Sequence, residues 1–258
     1  MTGRTVGKHS RIYIDGYDMS QYTKAIGNLS WTYEVSEQAA LTDEVKNGLP
    51  GHAMASPGVL SGFLDNTATS GLHAVLSGGT GTRTVMVPLG MRAAPAAGDP
   101  VFAGQFEQLD YISTGEDYVN AAVTFGGWSN QATSLAYEKP WGTLLHAKSA
   151  ATGANTSNSG LSAPKAASSG LGGFLVYQVF SGNGTATISV DDSADNSSWL
   201  ALSGATTGEI NFSTVKHGMV ALGVTATVRR YLRWQISLNS ATTVTFALAF
   251  IRPEAITQ

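Results

Sequence analysis

Leu29-Ser-Trp-Thr-Tyr-Glu-Val35, Gly58-Val-Leu-Ser-Gly-Phe-Leu64 and the gap between them decide how this chain is read. In the first run Leu29, Trp31, Tyr33 and Val35 are apolar at every second position, which turns one face to a core and the other to water. The second run follows a break at Pro57. Between them lie Ser36 to Ser56, about twenty residues, where a hairpin connection takes about two to five. An excursion that long inside a compact domain is a binding loop or a wrongly read element. Leu41 and Val45 sit four apart and Asn47-Gly48 can close a turn, so a short surface helix fits the segment. An arm that orders only against another subunit fits it too.

Composition narrows the classes outward from there. A chain of 258 residues with a hydrophobic fraction of 43% can fill two modest β-domains or one large one. Charged residues make up only 13%, roughly half the usual share of a soluble domain. Such a surface is covered by Thr, Ser, Asn and Gly or hidden against other chains. Net charge is −3, with 12 acidic and 7 basic residues up to Ala136, and 6 acidic and 8 basic after it. No basic stripe of the kind that grips nucleic acid is present, and an acidic surface repels phosphate. Cysteine is absent, which removes disulfides, thiolate metal sites and cysteine nucleophiles and fits a reducing cytoplasm. The first residues lack a signal-peptide core, and no run reaches the roughly eighteen apolar residues of a membrane span. The expectation is a soluble protein.

Around the opening runs, strands are expected at Arg11–Ile14, Arg83–Pro88, Val101–Leu109 and Tyr118–Phe125, with a turn from Tyr111 to Asp117. The one helix is expected at about residues 70–77, capped by Thr69 or Ser70, with Leu72, Val75 and Leu76 on one face and Gly78-Gly79 ending it. Gly126-Gly127-Trp128 and the polar run to Ser134 read as a linker between domains. A strand follows at Trp141–Ala147, and the Ala/Ser/Gly/Thr/Asn-rich segment from Ser149 to Gly173 reads as a long loop. Evenly spaced strands then come at Phe174–Phe180, Thr185–Val190, Gly208–Phe212, Met219–Leu222, Arg230–Ile236 and Thr243–Ile251, the spacing of a jelly-roll-like sandwich. The fold class is all-β: a barrel or sandwich with one short helix over residues 1–133, then a jelly-roll-like β-sandwich over residues 134–258.

No catalytic constellation emerges, and the expectation is a protein that is not an enzyme and carries no cofactor or metal. His9, His52, His73, His146 and His217 are scattered, and there is neither a GxSxG elbow nor a Walker-type loop. Asp191-Asp-Ser-Ala-Asp195 offers hard oxygen ligands for calcium but lacks the EF-hand order. A turn in which Asp and Asn side chains bond local backbone, with Trp199 packing inward, explains it better. Arg229-Arg-Tyr-Leu-Arg-Trp234 could form a basic patch, but strand alternation puts Tyr231 and Arg233 on one face and Arg230, Leu232 and Trp234 on the other, so solvated strand arginines interleaved with core aromatics fit it better.

Several stretches carry a resemblance. Tyr13-Ile-Asp-Gly-Tyr-Asp-Met-Ser-Gln-Tyr22, the long segment ending Gly48-Leu-Pro-Gly51, Gly58-Val-Leu-Ser-Gly-Phe-Leu-Asp-Asn-Thr67 and Ser70-Gly-Leu-His-Ala-Val-Leu76 resemble the major tail tube protein of long-tailed, siphovirus-like bacteriophages over about residues 10–128. Val190–Trp199 and Arg230–Arg233 resemble β-sandwich modules of phage structural proteins. The resemblance implies a virion tail protein made in the host cytoplasm, whose hexameric rings stack into a tube. DNA leaves through that tube without specific binding, the tape measure and tail-end proteins are partners, and no membrane is involved. It also implies that the segment from Glu34 to Met54 reaches a neighbouring ring, which places Glu37, Leu41, Asp43, Glu44, Val45, Lys46, Leu49, Pro50, His52 and Met54 at a contact between subunits. The second domain would project outward. Two other classes use the same modules: a capsid decoration or minor virion protein, and an adhesin with a carbohydrate-binding C-terminal module whose platforms would be Trp199 and Trp234.

Overall fold

The structure is a computed structural model that describes residues 7–37, 48–78, 80–91, 93–115, 119–128, 140–152, 156–157, 161–162 and 168–253. The first half contains β1 (Tyr13–Ile14), β2 (Tyr17–Asp18), β3 (Thr23–Ile26), β4 (Ser30–Glu37), β5 (Gly48–Ser56), β6 (Val59–Phe63), α1 (Leu72–Leu76), β7 (Gly81–Pro88), β8 (Pro100–Gln108), β9 (Ile112–Gly115) and β10 (Val119–Trp128). The second half adds β11 (Trp141–Thr152), β12 (Thr156–Ser157), β13 (Leu161–Ser162), β14 (Phe174–Gly182), β15 (Thr185–Ser193), β16 (Leu200–Asn211), β17 (His217–Ala221), β18 (Tyr231–Leu238) and β19 (Thr243–Ile251). The all-β class with one short helix is therefore borne out among the described residues.

The central feature is a 12-stranded antiparallel sheet that forks at β8. One side of β8 pairs with β7 along its length. The other side is shared: β11 pairs at Pro100–Phe102, while β10 pairs at Phe106 and Gln108. From this fork one branch runs β11-β19-β14-β17 and the other β10-β6-β3. The expected boundary at residues 128–140 falls almost wholly outside the described residues, and the strands on its two sides both lie against β8. Gly126–Trp128, read above as linker, belong to β10, where Trp128 pairs with Phe106.

The sheet curls until β1 and β14 touch, with the rings of Tyr13 and Phe180 4.8 Å apart. Alternating side chains then let one strand serve two cores. Tyr13, Met86, Val101, Ala103, Leu144, Phe174, Val176, Ala247, Ala249 and Ile251 share one cluster drawn from both halves of the chain. Their strand neighbours on the opposite face divide by branch. Val85, Val87, Phe102 and Phe106 pack with α1, β6 and β10. Leu175, Tyr177, Phe246, Leu248 and Phe250 pack against Ile188, Val190, Leu232, Trp234 and Ile236 of a second sheet, β12-β18-β15-β16. Because both faces of β14 and β19 are covered, these strands read as near-continuous apolar runs.

Polar side chains close the curl where strand pairing stops. The Asp15-Gly16 turn between β1 and β2 lies against β14 and β17. Gly16 N–H donates to Gln178 Oε1 at 2.5 Å, and Gln178 Nε2 donates to the Thr84 carbonyl at 2.8 Å. Asp15 accepts from Thr84 N at 2.8 Å and from Arg83 Nη1 at 3.0 Å. His217 Nδ1 lies 2.9 Å from Thr84 Oγ1 and 3.4 Å from Asp15 Oδ1. Gly16 has φ +83°, and a Cβ there would stand 2.7 Å from Lys216 Cβ and 2.8 Å from the Val179 carbonyl, so only glycine fits the approach. The network continues from Arg83 Nε to Gln108 Oε1 at 2.9 Å, and from Gln108 Nε2 to the Leu76 carbonyl at 2.7 Å, which satisfies the end of α1.

Several local expectations are corrected. The N-cap of α1 is Gly71, without a side-chain cap, and the helix spans only Leu72–Leu76. Thr69 instead turns the chain with φ 68°, and Asp65 holds the approach by accepting from Thr67 N at 2.8 Å. Ile112–Gly115 is a strand on β10, not a turn. The Ala/Ser-rich segment is not all loop: Ser149–Thr152 continue β11 against β19, and Thr156–Ser157 and Leu161–Ser162 pair with β18.

His146 sits inside the C-terminal core, stacked on Phe246 at 4.0 Å and edge-on to Trp234 at 4.5 Å. Burial pushes its pKa down from 6.5 to about 4, against a smaller upward pull from the bond to the Phe246 carbonyl. Two outcomes follow from these contacts. Gln178→Leu leaves the Gly16 N–H buried without an acceptor and lowers stability by about 1–3 kcal/mol in denaturant unfolding. Because the unfolded chain protonates His146 more readily, its contribution is intact above pH 6.5 and drains away as pH falls toward about 4, by at most about 3 kcal/mol. His146→Phe flattens the pH dependence of unfolding in that window.

Candidate interaction surface

β4 and β5 form a two-stranded antiparallel sheet of their own. The ladder runs from Ser30↔Ser56 at its base to Glu37↔Gly48, with a register shift between Tyr33↔Ala53 and Val35↔Pro50. Nine residues of the expected excursion from Ser36 to Ser56, Gly48–Ser56, are thus a strand returning along β4, and the two strands make an arm. Of the residues assigned to a subunit contact, Glu37 ends β4, and Leu49, Pro50, His52 and Met54 lie on β5, His52 within the register shift. Leu41, Asp43, Glu44, Val45 and Lys46 lie outside the described residues, and so does the short-helix reading of Leu41 and Val45.

Among the described residues the arm is fastened at its base. Ser56 Oγ donates to the Phe125 carbonyl at 2.8 Å and accepts from Gly58 N at 2.9 Å. Gly27 N donates to the Val59 carbonyl at 2.6 Å, and Phe125 N to the Gly58 carbonyl at 3.1 Å. Gly58 makes the sharp exit into β6 with φ +67°, and a Cβ there would stand 3.0 Å from both Asn28 N and Asn28 O. Leu29 and Trp31 pack on the N-terminal core, which fixes the direction in which the arm leaves. Trp31 meets Tyr33 edge-on at 6.0 Å, and its buried Nε1 has no hydrogen-bond acceptor. Farther along, Tyr33 and Met54 are 41% and 54% exposed.

A second apolar surface adjoins the base. β6 buries Leu60 and Gly62 and turns Val59 and Phe63 outward, 43% and 49% exposed. Register sets Ser61 of β6 beside Ala25 of β3 and Ala122 of β10, and Ala122 beside Ile112 of β9, which is 49% exposed. Val59 lies beside Thr124. None of these neighbours is charged. Apolar side chains gathered on one sheet face in this way mark a contact surface more often than scattered exposed residues do.

Charged groups elsewhere are engaged locally. Lys148 donates to Asp18 at 2.7 Å and lies 4.7 Å above the Phe180 ring. Burial raises the Asp18 carboxyl, but the bonds from Lys148 and Ser20 outweigh it and bring the pKa below the usual carboxylate value. Asp195 accepts from Ser197 N and Ser198 N at 2.9 and 2.8 Å, the local turn expected of this cluster, and these bonds hold its pKa well down. Asp191 and Asp192 are not part of that turn: they are buried in β15, Asp191 paired with Arg233 at 2.8 Å and Asp192 accepting from Arg229 N at 2.8 Å. Trp199 does not pack inward as expected. It is half-buried, with the Arg233 guanidinium 4.8 Å from its ring, whereas Trp234 is buried. Among the described residues no group of three or more His, Asp or Glu is placed to hold a metal ion.

No protein-family model matches the chain, and no curated protein matches it. Among solved structures, one match is the crystal structure of the SPP1 Dit protein, described as a paradigm of hub adsorption apparatus in Gram-positive infecting phages. It is 9% identical with a TM-score of 0.28, over 94% of this chain and 98% of that one. A likeness of that size carries no argument about this chain.

The base of the arm gives a direct test. Gly58→Ala forces an alanine into a left-handed conformation against Asn28 and destabilises the base by about 1–2 kcal/mol. Amide exchange should speed up in β4 and β5 while β14 and β19 keep their protection.

Proposed function

We propose that this chain is a structural protein of a phage tail, and that the β4–β5 arm joins copies of it into stacked hexameric rings forming the tail tube. The observation that carries the proposal is the arm: a two-stranded ladder fastened at one end, exposing Tyr33 and Met54, beside an uncharged sheet face bearing Val59, Phe63 and Ile112. A hairpin alone is marginal in water, so a ladder this long gains stability when another chain covers it. The low charge content of 13% fits a surface that neighbouring copies cover, and the resemblance of residues 10–128 to tail tube proteins supplies the geometry of rings and lumen. In this reading DNA passes through without specific binding, the tape measure and tail-end proteins meet the tube's ends, and the protein is a scaffold with no reaction to catalyse.

The same features bear on the rival classes. A sugar platform needs an open aromatic face, but Trp234 is buried and Trp199 lies under Arg233. A capsid decoration protein would bind a lattice without assembling alone.

Electron microscopy of the purified chain separates these readings: hollow tubes or rings are expected, and dispersed particles at all concentrations would contradict the proposal. Deleting Gln38–Gly48 should leave a folded subunit with an unchanged β-type circular dichroism spectrum and no tubes. Intact tubes from that deletion would remove the arm's role.

A further inference from the structure

Two shallow grooves meet at Ser20, and the first of them runs beside β3. The first, about 390 Å³, has apolar walls of Ile12, Ile26, Leu29 and Leu89 and is lined along one side by Thr23 to Gly27, including the exposed Lys24. The second, about 370 Å³, carries Arg11 and Lys148 against one carboxylate, Asp18, which already accepts from Lys148 and Ser20. Together they hold three cations and one anion. Among the described residues β3 pairs only with β6, which makes it an open edge of the large sheet there, and the first groove follows that edge. An open edge beside an apolar trough is the arrangement that accepts an added strand.

The arm has the complementary properties. β4 and β5 form strand pairs only with each other among the described residues, and only the base of β5 lies against β10, where Ser56 bonds the Phe125 carbonyl. Over Ser30–Glu37 and Gly48–Ser56 the sequence holds Glu34 and Glu37 and no Lys or Arg. We infer that the groove along β3 receives the arm of a second copy, adding an edge of the β4–β5 ladder to β3 and bringing the strand that carries Glu34 and Glu37 toward Lys24, Arg11 and Lys148. Within one copy the groove ends at Leu29, where the arm begins, and β4 is paired to β5 from Ser30↔Ser56 outward, so the ladder leads away from β3 and its own groove is left for another copy. A contact between different surfaces is heterologous and leaves each copy with one of each still open, so it propagates. The inference rests on the reading of the arm as the element shared between subunits.

Charge exchange in the full chain tests it. One variant reverses the groove (Arg11→Glu with Lys24→Glu), and a second reverses the arm (Glu34→Lys with Glu37→Lys). Sedimentation velocity and negative-stain microscopy should show that each alone needs at least about tenfold more protein to assemble than the parent, because like charges then meet. An equimolar mixture should assemble at the parent concentration, each acidic arm finding a basic groove. Arg11 also bonds the Lys8 and Ser10 carbonyls, so Lys24→Glu alone, at an exposed side chain, serves as the variant that keeps its fold. If the groove variants assemble as the parent does while the Gln38–Gly48 deletion does not, the groove is not the receiving site and the arm's role stands. If that deletion also assembles, both the inference and the reading beneath it fall.

Discussion

The structure depends on the contact between the Asp15-Gly16 turn and the pair of strands carrying Gln178 and His217. A large antiparallel sheet left open would expose one face of β7, β8, β14 and β19 to water. Instead the turn reaches across, Gln178 bridges Gly16 and Thr84, and Asp15 gathers Arg83, Thr84 and His217, all within hydrogen-bond or ion-pair distance. Each buried polar group there has a partner, which is the condition for such a network to hold elements together. The curl encloses one core and presents its outer face to two more, so first-half and second-half residues are packed into a single continuous sheet. The β4–β5 arm joins this arrangement through its base, where Leu29, Trp31 and Ala55 pack on the N-terminal core, and among the described residues its two strands pair only with each other.

Much of the strand framework was legible because burial is written as alternation or as apolar runs. Leu29 to Val35, Val101 to Leu109 and Thr243 to Ile251 all became strands near their expected positions. β5 was not legible: Gly48-Leu-Pro-Gly51 carries the residues that normally interrupt strands, and only the partner β4 makes it one. The start of β16 was missed for a similar reason. Gly204 and Gly208 lie within Leu200–Asn211 with positive φ, bending an edge strand that local pattern does not reveal. Ser149–Thr152 read as loop because Ala and Ser give little apolar signal, yet β19 supplies the ladder. The polar seam had no local signature at all, since Asp15, Thr84, Gln178 and His217 meet only after the sheet has curled.

The candidate surface was half legible. Its length as an excursion was visible, and so was the low charge content of the chain as a whole. The division into two paired strands was not, nor was the groove beside β3, which is assembled from Ser10, Ile12, Ile26 and Leu89 and exists only in the folded chain. Joining an acidic ladder to a basic open edge on one molecule is a physical route from a folded subunit to an extended assembly. The exposed Lys24, Tyr33 and Met54 belong to none of the three cores, so changes there can alter assembly while the fold persists.

The central claim is that the arm is completed by another copy. A cryo-electron microscopy map of the native assembly tests it most directly, by tracing Ser30–Glu37 and Gly48–Ser56 from each subunit. The account predicts that this ladder lies against a neighbouring copy, with its outer edge paired there. A map in which every arm lies back on its own subunit, touching no neighbour, would contradict it.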